Sequence, residues 1–166
     1  MYDAFYTVLF YIFVAFFLHI MYNIQDKQRK VVFNFMIRTE AREKAFAIIF
    51  EKSINDEPVP ALIALSEECV GVKINTFATG LINGVVDNMD AIDDKISQNL
   101  KGWSVGRISK TALAILRLAV YEINYCDETP DSVAANEAIE LAKKYCGDDE
   151  PSFINGILGA IIKSKS

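Results

Sequence analysis

From Met36 to Ser166 the apolar residues recur at intervals of three and four, and no stretch alternates apolar and polar with a period of two. That rhythm places one residue in every turn on the same face of a helix, so this part of the chain is all-α. Seven helices can be read. The first runs through TEAREKAFAIIFEK, with Thr39 as N-cap and Ala41, Ala45, Phe46, Ile48, Ile49 and Phe50 facing a core, and Asn55 to Pro60 end it. ALIALSEECV, KINTFATGLINGVVDNM and AIDDKISQNL follow, the last stopping at Lys101-Gly102, and Trp103 begins the next segment. The fifth, RISKTALAILRLAVYEINYC, carries a packing stripe of Ile108, Ala112, Ile115, Leu116, Ala119 and Ile123. Thr129 caps the sixth, Pro130 stands at its first position and Gly147 supplies its left-handed stop, with Glu140 and Lys144 paired one turn apart. The seventh starts after Asp149, turns Phe153, Ile154, Ile157, Leu158 and Ile161 inward, and ends in Lys163 and Lys165 at the negative pole of its dipole.

Residues 1–35 have a different composition. Eleven of the nineteen aromatic residues precede Met36, and Ala4 to Gln25 contains no Asp, Glu, Lys or Arg. As a helix that run would be about 33 Å long, close to the hydrocarbon thickness of a bilayer, with Lys27, Arg29 and Lys30 on the cytoplasmic side. Two readings stand. Translation starts at Met36 and the preceding residues come from an over-extended reading frame, or residues 1–35 are a membrane anchor; an ordinary core helix fits worse, because the run has no polar face. The domain division is an apolar N-terminal extension over 1–35 and a helical domain over 36–166.

Chemistry is sparse. The single histidine, His19, lies among aromatics, and no phosphate loop, dinucleotide fingerprint, nucleophile elbow or zinc-protease motif occurs, so the chain is expected to be no enzyme, with no catalytic residue, no metal and no cofactor. Cys69, Cys126 and Cys146 are odd in number and widely spaced, which suits a reduced, cytoplasmic protein with its thiols in helices. Asp148, Asp149 and Glu150 suit a helix start better than a metal. With 17 basic and 22 acidic residues, the net charge of −5 excludes nucleic-acid binding by bulk charge. One local exception stands at the start of the first helix, where Arg38, Arg42 and Lys44 form a basic edge. Arginine's planar fork suits phosphate, although an ordinary solvated helix turn has the same composition.

Three strings carry a resemblance. RTEAREKAFAIIFE, ILRLAVYEI and TPDSVAANEAIELAKKYCGDDEPSFINGILGAI are similar, in order and spacing, to the N-terminal helix, fifth helix and C-terminal block of the NusB family of bacterial transcription antitermination factors. The similarity covers about Met36 to Ile162, and residues 1–35 match nothing in that family's pattern. It implies two three-helix bundles packed at a steep angle and completed by a terminal helix, here preceded by the apolar segment. It also implies an RNA-binding factor that takes the boxA element of nascent ribosomal RNA together with the ribosomal protein NusE and acts on the RNA polymerase elongation complex.

Carried over by position, Arg38, Arg42 and Lys44 would contact RNA, with Asp149 and Phe153 near it at the turn into the last helix, and Phe50 would face NusE. Phe153 stacks on an unpaired base or packs in the core; the sequence leaves both open. Thr39 and Glu40 thin the basic patch, and Thr111, Ala112 and Leu113 replace a more polar run expected to touch the partner. Arg117 and Glu122 belong to the family signature and are read as holding the fold. Monomer and homodimer both fit. A membrane partner, and the alternative of a membrane-tethered helical interaction protein with a NusB-like domain, depend on residues 1–35 being real.

Overall fold

Asn75 and Ser109 begin two helices by the same device. The side chain of each accepts a hydrogen bond from a backbone N–H three residues on, Ala78 N at 2.8 Å and Ala112 N at 3.1 Å, which satisfies a donor that the first turn leaves without a partner. In the computed structural model, residues 37–70, 73–100, 102 and 104–165 are described. The apolar segment 1–35, Met36, Lys101 and Trp103 lie outside them. The described helices are α1 over 37–52, α2 Val59–Val70, α3 Thr76–Asp87, α4 Met89–Gln98, α5 Lys110–Tyr125, α6 Asp131–Tyr145 and α7 Glu150–Lys165, with a single 3-10 turn at Val105–Arg107. No strand occurs among the described residues, as the three-and-four periodicity requires. The chain divides into two compact units, Met1–Arg38 and Thr39–Ser166.

Within the second unit, α5 is the central element. It packs on α3 and α4, which touch each other, and on α6 and α7, which also touch each other, so two three-helix groups share it. The composition of α5 explains the position. Beyond the expected stripe, Ala114, Leu118 and Val120 are buried as well, and a helix apolar on most of its circumference has to be surrounded. Ile115, Leu116 and Val120 are fully buried, each side chain contributing roughly 1.5–3 kcal/mol by removal from water. The α7 helix, read as an addition completing the fold, is a full member of the second group through Ile154, Ile157, Leu158 and Ile161.

Several local readings change. Thr39 lies inside the described helical run rather than capping it, and its buried hydroxyl has no hydrogen-bond partner. Thr129 caps nothing either: Pro130 takes the N-cap position of α6, its carbonyl accepting from Val133 and Ala134, and the Thr129 hydroxyl is left buried and unpartnered. Gly147 is not left-handed. Among the described residues only Gly102, at φ 74°, takes that conformation, just past the end of α4, and Gly147 instead donates its N–H to the Glu150 carboxylate at 3.0 Å. Lys144 does not pair with Glu140, whose partner is Lys143 at 2.7 Å.

Candidate nucleic-acid interface

The first turns of α1 carry the expected basic edge, and burial divides it. Arg42 is 2% exposed. Its Nε and Nη2 donate to the Glu122 carboxylate of α5 at 2.9–3.0 Å, its Nη1 lies 3.7 Å from Glu137 of α6, and its guanidinium sits 5.5 Å from the centre of the Phe77 ring of α3. Arg42 as an RNA contact is therefore corrected: a charge buried between its own helix and three others and held by two carboxylates has no face left for a phosphate, and it serves to join α1 to the core. Glu122, read as a fold-holding residue, is the partner that makes this burial tolerable. The other signature arginine acts similarly, Arg117 holding Asp93 of α4 through two hydrogen bonds of 2.6 and 2.8 Å. Lys44 and Arg38 are half-buried, and Arg38 closes the first of the two units.

Next along α1, Glu43 ties this helix to the end of α6. Its carboxylate accepts from Lys144 Nζ at 2.5 Å and from the Tyr145 hydroxyl. These hydrogen bonds, Lys144's first, hold the Glu43 carboxyl below the ordinary 4.5, and the contact with Glu43 raises the Tyr145 phenol. The turn bearing Asp149 follows Tyr145 directly, so the link brings α1 beside it. Asp149 is exposed and its carbonyl accepts from the Phe153 N–H at 3.3 Å, starting α7. Glu150 closes the same turn, accepting from Gly147 and from Ser109 Oγ at 2.5 Å. Phe153 is half-buried against the core and lines a shallow cleft of about 350 Å³ with Asn99, Leu100 and Gly156.

Phe50 lies on the opposite end of α1. It too is half-buried, 6.2 Å from Phe46 ring to ring, and lines an apolar cleft of about 590 Å³ with Ile54, Thr111 and Tyr145. Ile54 is 53% exposed and Tyr145 41%, large apolar surface that the sequence reading of the partner contact missed. No local signal pointed to it, because Ile54 follows the helix and Tyr145 lies on another element. Burial, chiefly, pushes the Cys126 thiol up and the Cys146 thiol up to about 11. Among the described residues no helix is long and apolar enough to cross a membrane.

Comparison with known proteins agrees with this architecture. The NusB family model matches residues 27–163, a span that reaches upstream of Met36. The transcription antitermination protein NusB of Clostridium novyi is 41% identical over 133 residues, covering 78% of this chain and all of that protein. A crystal structure of antitermination factors NusB and NusE in complex with double-stranded RNA superposes with a TM-score of 0.70 at 26% identity, covering 76% of this chain and 96% of that one. NusB of T. maritima gives a TM-score of 0.65 at 34% identity, over 76% and 90%. With seven helices among the described residues and a family match over most of its length, this chain belongs to the NusB family.

Proposed function

We propose that this protein is an RNA-binding transcription antitermination factor that takes the boxA element of nascent ribosomal RNA jointly with NusE and acts on elongating RNA polymerase. The observation that carries the reading is likeness over nearly the whole length of a NusB chain crystallised with NusE and RNA. The residues from Met36 onward supply the function. In this reading Arg38 and Lys44 meet the phosphates, the Asp149 turn and the exposed part of Phe153 lie beside the RNA, and Phe50 with its apolar cleft receives NusE. Charge favours a joint mechanism, since a chain of net charge −5 gains little from phosphates without a basic partner. The role is regulatory and needs no catalytic group.

The test is titration of labelled boxA RNA with the full chain, with and without NusE, against a scrambled RNA at fixed salt. Selective binding that strengthens with NusE is expected. Absence of binding under both conditions overturns the assignment and favours a tethered interaction protein.

A further inference from the structure

A third cleft, of about 460 Å³, opens where α3, the end of α5 and the turn into α6 meet, a size typical of small-ligand sites. None of the residues given RNA or NusE contacts lines it. Its walls are aromatic: Phe77 on α3, and Tyr121 and Tyr125 on α5, the tyrosines stacked with ring centres 5.4 Å apart. Tyr121 is set in place by Gly84, since a Cβ there would come within 2.0 Å of its ring, and Tyr125 is 48% exposed, leaving a π-face open. The rim is acidic, with Asp127 and Glu128 in the turn, and none of the lining residues among those described is basic. At the inner end, Thr129 lines the cleft while only 4% exposed, and its hydroxyl meets no hydrogen-bond partner.

The cleft is open, aromatic along its walls and acidic at one rim, a form suited to receive a group from outside. The chemistry of that group follows from the walls. Tyrosine faces attract cations, and the Asp127 carboxylate at the rim does the same and repels phosphate. A guanidinium answers both, stacking flat on a ring while its fork reaches Asp127. We propose that this cleft is a docking site for an arginine side chain on a basic segment of a protein partner. It is separate from the RNA-contacting residues and does not depend on them.

The probe is the peptide acetyl-Gly-Arg-Gly-amide, compared with its citrulline counterpart, which keeps the shape and loses the charge, by calorimetry on the full chain at low salt. The arginine peptide is expected to bind about tenfold more tightly, as suits one cation–π contact with carboxylate support. Gly80→Leu blocks the cleft without disturbing the fold, because a Cβ at Gly80 meets nothing within 4 Å, and should abolish this binding while leaving RNA affinity and melting temperature unchanged. Tyr125→Ala should weaken it severalfold. Equal binding of the two peptides, or full binding by Gly80→Leu, overturns the proposal; so does displacement of the peptide by oligouridine that Gly80→Leu prevents, which would make the cleft a nucleotide site.

Discussion

At the scale of single residues the decisive contact is Arg42 with Glu122. Removing one partner leaves the other charged and buried, so Arg42→Ala or Glu122→Ala should each cost roughly 3–5 kcal/mol in urea unfolding. Replacing both with apolar residues of similar volume should restore much of that, which separates a structural pair from an RNA contact. In sequence the two residues are 80 positions apart, and an arginine at helical spacing from another arginine reads as surface. Only the packing of α1 on α5 shows otherwise. Thr129 behaves in the opposite sense: its hydroxyl is buried with no partner, so Thr129→Val should raise stability by about 1 kcal/mol in thermal melts.

Among elements, caps and cross-links decide how the helices are held. Ser109 both caps α5 and donates to Glu150 of α7, so Ser109→Ala should cost about 1 kcal/mol or somewhat more in unfolding, where Asn75→Ala at the start of α3 should cost about 1. The Glu43 link between α1 and α6 makes stability depend on pH. Because the folded-state value of Glu43 is depressed, its contribution is complete above the ordinary 4.5 and is lost as pH falls through the lower folded value. Glu43→Gln should therefore be less stable than the parent at neutral pH, with the gap closing on acidification, as read by denaturant melts across pH 3–7. The helices themselves were legible from spacing, including the stripe on α5 and the inward face of α7. Their starts were less so, since Thr39 and Thr129 have the right chemistry for a cap, but Thr39 lies inside the described helical run and Thr129 stands one position before the N-cap Pro130.

The whole molecule carries a net charge of −5, so the few basic residues proposed to meet RNA matter disproportionately. Arg38→Ala and Lys44→Ala should each weaken boxA RNA binding in the presence of NusE a few-fold and reduce its salt dependence by about one phosphate contact. Retained affinity in both variants would move the contact elsewhere on the molecule. The candidate partner surface is also a property of the assembled molecule, because Phe50, Thr111 and Tyr145 come from three helices and form one cleft only when α1, α5 and α6 pack.

By itself the sequence determined the all-helical class, the order of the helices and most of the core, because these follow from local periodicity and from the number of apolar residues that each turn supplies. The three family strings determined membership for the same reason, being contiguous. Tertiary structure decided which charges are internal, which threonines lack partners and which aromatic side chains share a cleft. Burial and pairing depend on residues distant in the chain, as with Glu43 and Lys144, 101 positions apart, and no local spacing encodes a contact that forms only when separate helices bring their faces together.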